Sequence, residues 1–117
     1  MSKRILLLED EKDILDIIQE ILEGEGYNVI AFNHYESVED IIEFAPELIL
    51  LDIRLSNGYG HLLCQDLKSN PQTSNVPVIL VSGADNLEKI AQDYKADNFL
   101  SKPFNLNDLV SIVKQYD

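Results

Sequence analysis

Two hydrophobic patterns alternate along the chain. Short runs of apolar residues occur at 4–9 (RILLLE), 27–32 (YNVIAF), 47–52 (ELILLD), 76–82 (VPVILVS) and 97–101 (DNFLS). Three of these are apolar almost throughout, as strands buried on both faces should be. Between the runs, apolar residues recur at three- and four-residue spacing, which marks one face of a helix. In 11–24 these are Ile14, Ile17, Ile18, Ile21 and Leu22, with Gly24 and Gly26 as a stop. The stretches 36–45, 59–68, 86–95 and 105–116 repeat the pattern, most weakly in 86–95. Asn105 is placed to cap the last helix, with Asp108 three residues on.

Five βα units in succession predict a parallel sheet with helices on both faces. At 117 residues the chain fits a single domain over 1–117, α/β and doubly wound. A flavodoxin-like strand order, 2-1-3-4-5, is the natural form at this length. Ligands of such sheets bind beyond the carboxyl ends of the strands, where the order reverses between the first and third.

The residues at those ends are therefore the candidates. Glu9, Asp10 and Glu11 follow the first strand, Asp52 closes the third, Ser82 the fourth, and Lys102–Pro103 follow the fifth. Adjacent carboxylates repel, and burying them is costly without a positive partner. Lys102 alone cannot balance three or more acids, so a hard divalent cation is expected. Mg²⁺ takes one or two carboxylates and keeps several waters. Asp10 and Asp52 would hold it, with Glu9 helping directly or through water, while Glu11 points away and starts the first helix. A carboxylate can also act as a nucleophile and form an acyl phosphate, and central Asp52 is the candidate.

Charge narrows the partners. There are 21 Asp and Glu against 9 Lys and Arg, a formal net charge of −12. That disfavours nucleic acid and anionic membrane, which need clustered basic residues. No apolar run has transmembrane length and no signal peptide is evident, and one cysteine, Cys64, permits no internal disulfide. A cytoplasmic location is expected. His34 and His61 have no companion at ligand spacing and read as surface residues. Cys64 reads as a packed small residue. Tyr59 either shapes access to Asp52 or is an ordinary loop aromatic.

The set Glu9–Asp10, Asp52 with Gly60 downstream, Ser82 and Lys102–Pro103–Phe104 resembles the response-regulator receiver domains of two-component signalling. The resemblance covers essentially the whole chain. It implies a phosphorylation-controlled switch rather than a turnover enzyme. Asp52 would be the phosphoacceptor, charged from a phosphohistidine on a sensor histidine kinase or phosphotransfer protein. Glu9, Asp10, Asp52 and the backbone carbonyl of Arg54 would bind Mg²⁺. Lys102 and Ser82 would contact the phosphoryl group, and Phe99 would swing inward behind Ser82. The Lys102–Pro103 peptide would be cis, aiming the lysine at the site. A downstream protein, or a second copy in a dimer, would read the face of the fourth helix, fifth strand and fifth helix. Two alternatives stand beside this: a degenerate receiver that only binds partners, and a Mg²⁺-dependent aspartyl phosphatase.

Some positions depart from the family pattern. Ser56 stands where proline is frequent, so a looser LSNGYG loop is expected. Lys95 stands where glycine is frequent; left-handed backbone there would cost a lysine about 1 kcal/mol, so a different turn is expected. Phe99 replaces the commoner tyrosine and has no hydroxyl to tether either rotamer.

Overall fold

A computed structural model describes residues 3–117. Five strands form one parallel sheet: β1 (Arg4–Leu8), β2 (Asn28–Phe32), β3 (Leu48–Asp52), β4 (Val78–Ser82) and β5 (Asn98–Ser101). Their spatial order is β2-β1-β3-β4-β5, as the alternating pattern implied. One helix follows each strand: α1 (Lys12–Gly24), α2 (Val38–Phe44), α3 (Gly60–Ser69), α4 (Leu87–Asp93) and α5 (Leu106–Lys114).

The three inner strands, β1, β3 and β4, are almost continuously apolar because both their faces are covered. Successive side chains point to opposite faces of a strand. Ile5, Leu7, Leu48, Leu50, Ile79, Val81 and Leu100 thus meet Leu15, Ile18 and Leu22 of α1 and Leu109, Ile112 and Val113 of α5. The interleaved Leu6, Leu8, Ile49, Leu51, Val78 and Leu80 meet Ile41 of α2, Leu63, Cys64 and Leu67 of α3, and Leu87 and Ala91 of α4. Each buried Leu or Ile contributes about 2 kcal/mol of transfer free energy. This burial sets the sheet register, because a one-residue slip would exchange the two cores.

Local signals start and stop the helices. The side chain of Asn105 accepts a hydrogen bond from the Asp108 amide at 2.8 Å, the cap foreseen for α5. The Ser37 hydroxyl accepts one from the Asp40 amide at 3.1 Å and caps α2. Left-handed non-glycine residues follow two helices: Ala45 with φ 49° after α2 and Lys95 with φ 66° after α4. The turn at Lys95 therefore keeps the left-handed backbone despite its side chain, contrary to the different turn expected. The Ala96 amide reaching the Ala91 carbonyl at 2.9 Å holds it there.

The LSNGYG loop is likewise not loose. Arg54–Leu55 and Gly58–Tyr59 pair as a short antiparallel ribbon. The Ser56 carbonyl accepts the Tyr35 amide at 3.0 Å, tying the ribbon to the loop after β2. The Tyr35 ring lies over Gly58 so closely that a Cβ there would come within 2.4 Å of it.

Candidate functional site

The sheet register aligns the strand ends. Asp52 lies opposite Val81, and Ser82 opposite Ser101. The last residues of β1, β3, β4 and β5 therefore open on one rim, where a cleft of about 970 Å³ is lined by Asp10, Asp52, Arg54, Ser82 and Lys102 among others. Gly60 brings α3 tight against this rim. A Cβ on Gly60 would sit 1.8 Å from the Asp52 carbonyl oxygen, so only glycine lets the helix start there.

Lys102 is the hub. Its Nζ stands 3.0 Å from Glu9 Oε1, 3.3 Å from Asp52 Oδ2 and 3.8 Å from Glu11 Oε1. It donates hydrogen bonds to Glu9 Oε2 at 3.0 Å and to Asp52 Oδ2 at 3.3 Å. The Lys102–Pro103 peptide is cis. Burial alone would lower the Lys102 pKa, but its bonds to Glu9 and Asp52 and their charges outweigh that and raise it. Glu11 occupies the cap position of α1 and is exposed; it does start the helix, yet its carboxylate turns toward Lys102.

Glu9 is the most hidden acid, 1% exposed, whereas Asp10 is exposed. Burial first, then a hydrogen bond shared with Asp52, push the Glu9 carboxyl up to about 7. The Lys102 ammonium and the Glu11 amide, which donates to Glu9 Oε2 at 3.1 Å, pull the other way. Asp52 is 7% exposed, and its Oδ1 accepts a long 3.4 Å bond from the Arg54 amide. Asp10 Oδ1 accepts a hydrogen bond from the Ser56 hydroxyl at 3.1 Å. Ser82 Oγ accepts one from the Ala84 amide at 3.1 Å, which leaves its own hydrogen free to donate.

These groups suit a hard cation. Among the described residues, buried Glu9 Oε1 has no hydrogen-bond partner; Lys102 lies near it but off the bonding direction. One ammonium faces several carboxylates across an open cleft, and all the donors are oxygens. Among the described residues, no three acids, histidines or cysteines stand close enough to hold an ion by themselves. Mg²⁺ does not require that, because it retains waters.

Phe99 sits on β5 opposite Leu80, half-buried against the core that contains Leu80, Leu87 and Ala91. Sequence reasoning missed part of the cleft wall, which Tyr59 and His61 line. His61 is not a plain surface residue: its ring lies 5.7 Å from Tyr59 and edge-on to Tyr94 at 4.8 Å, and its buried Nδ1 has no partner among the described residues. Burial lowers its pKa. His34 is half-buried as well, with Nδ1 3.1 Å from the Tyr35 carbonyl. Tyr59 lines the cleft and is 56% exposed. Cys64 is packed as expected, and burial pushes its thiol up to about 12, which leaves it inert.

The profile of the response regulator receiver domain matches residues 5–114. The chain belongs to that family. It is similar to the CheY-like receiver domain protein of Methanospirillum hungatei JF-1, at 31% identity over 98% of this chain and 93% of that one, with a TM-score of 0.87. It is similar to NtrX of Brucella abortus at 32% identity and TM-score 0.86, covering 99% of this chain but only 27% of NtrX. The BeF3-activated N-terminal receiver domain of Klebsiella pneumoniae RstA shares the fold, with TM-score 0.87 at 22% identity and 97% of each chain covered. Receiver domains belong to two-component systems, where they work with histidine kinases or phosphotransfer proteins, and are typically signalling modules without turnover. Phosphorylation and Mg²⁺ binding are general features of the family. Among the described residues, no helix is long and apolar enough to cross a membrane.

Proposed function

We propose that this receiver is a cytoplasmic switch that accepts a phosphoryl group on Asp52 from a phosphohistidine. One observation carries the reading: Asp52, at the end of the central strand, faces an open cleft with Lys102 Nζ 3.3 Å from its Oδ2. An Asp52 oxygen attacks phosphorus, the P–N bond breaks, and the imidazole leaves with the electron pair and takes up a proton. Glu9, Asp10, Asp52 and the Arg54 carbonyl would hold Mg²⁺, whose charge would offset that on the transferred group's oxygens. Lys102 contacts one phosphoryl oxygen, and the Ser82 hydroxyl donates to another.

The new group carries about −1.5 to −2 charge and three strong acceptors. Ser82 moves toward it and draws the loop that follows β4. Phe99 takes the space left behind, and the face of α4, β5 and α5 changes shape. Leu106, 56% exposed, and the exposed Lys95 are parts of that face. A downstream protein, or a second copy, reads it.

Intact-mass analysis of the protein with phosphoramidate and Mg²⁺ tests this. Wild type gains one phosphoryl group, and Asp52→Asn gains none. An unmodified wild type favours a receiver that only binds partners. Repeated release of phosphate from many esters favours the phosphatase.

A further inference from the structure

Ser56 has no part in the chemistry proposed above, yet its hydroxyl reaches Asp10 Oδ1 at 3.1 Å from 46 residues away. Among the described residues, Asp10's carboxylate has no other hydrogen-bond partner and no ion pair. The backbone that delivers the hydroxyl is held from three sides. The Ser56 carbonyl accepts the Tyr35 amide at 3.0 Å, and His34 and Ser56 form a bridge. Asn57 turns the chain with φ 72°, and Gly58 is trapped beneath the Tyr35 ring. The ribbon Arg54–Leu55/Gly58–Tyr59 closes the loop around it.

We infer that Ser56 is a positioning residue for the cation: through its hydroxyl it holds the Asp10 carboxylate aimed into the cleft. The inference rests on the proposed reading of Glu9, Asp10 and Asp52 as the Mg²⁺ site. Asp10 is exposed, so an untethered side chain would sample several rotamers, and binding would have to select one. A hydrogen bond from the other side of the carboxylate selects that rotamer beforehand. The donor also withdraws some charge from Oδ1, which opposes binding. A neutral hydroxyl withdraws little, however, and Oδ2 keeps all its lone pairs. Groups that orient a metal ligand in this way change affinity by about 10–100-fold when removed. With Asp10 exposed, the lower end applies.

Calorimetric titration of the whole chain with Mg²⁺ tests the assignment. Ser56→Ala is expected to bind about tenfold more weakly. Ser56→Thr, which keeps the hydroxyl, should bind like wild type. In metal-free urea denaturation both variants should match wild type, because the side chain is exposed. In an Asp10→Asn background, Ser56→Ala should cause no further loss. Wild-type affinity in Ser56→Ala overturns the inference. So does an equal loss in Ser56→Thr, which would assign the effect to loop packing. A wild type that does not bind Mg²⁺, or an Asp10→Asn that binds it undiminished, instead removes the reading on which the inference rests.

Discussion

Burial and the charged groups close by decide how a hidden titratable side chain such as Glu9, Lys102 or Tyr27 behaves. Tyr27 shows this away from the cleft. Burial, then its hydrogen bond to Asp117 Oδ1 at 2.8 Å and the charges of Asp117 and Glu25, push its hydroxyl up to about 12. The folded protein thus holds this proton more tightly than the unfolded chain, whose tyrosines titrate near pH ~10. The stability Tyr27 contributes is fully present below that pH and is lost as pH rises through about 12. Tyr27→Phe should cost about 1 kcal/mol in urea denaturation at neutral pH. The gap from wild type should close between the two pKa values, and absorbance titration should lose its latest tyrosine step. At the cleft, Asp52, Ser82 and Lys102 were legible because each follows an apolar run. Ser56 and His61 were not. The partners that give them meaning, Asp10 and Tyr94, are distant in sequence and flagged by no local pattern.

The secondary-structure elements were readable from periodicity, but two junctions depended on contacts between them. Lys95 sits at φ 66°, which the frequent glycine of this position would accept without strain. Lys95→Gly should therefore stabilise the fold by about 1 kcal/mol, seen as a higher urea midpoint with an unchanged slope. Gly60 is the opposite case, where an added methyl has no room. Gly60→Ala puts a Cβ 1.8 Å from the Asp52 carbonyl, so α3 or the end of β3 must shift. We expect a loss of about 2 kcal/mol, within the range for overpacked sites, together with slower phosphorylation by phosphoramidate. Unaltered phosphorylation would mean the shift is taken up by α3 alone. The ribbon in the LSNGYG loop escaped sequence reasoning for a related reason. Two two-residue strands carry no periodic signal, and the Tyr35 ring that presses on them comes from the loop after β2.

At the level of the whole molecule, β3 is the shared wall of the two cores. Leu50 faces the α1–α5 side and Leu51 the other, both fully buried. Leu50→Ala should destabilise by about 3 kcal/mol, with tyrosine fluorescence and far-UV circular dichroism still reporting one transition. Separate transitions would show that the two cores unfold independently. Hydrophobic patterning determined the α/β class and the five βα units, because strands buried on both sheet faces must be near-continuously apolar; the strand order came from chain length and the doubly wound form natural to it. The same patterning also placed acids, a hydroxyl and a lysine at strand ends, which is chemistry tied to chain position. Tertiary structure alone decided which carboxylate is hidden, which oxygen lacks a partner, and that Ser56 meets Asp10. Those are matters of a few ångströms between distant segments, set by side-chain packing and loop geometry that no local pattern encodes.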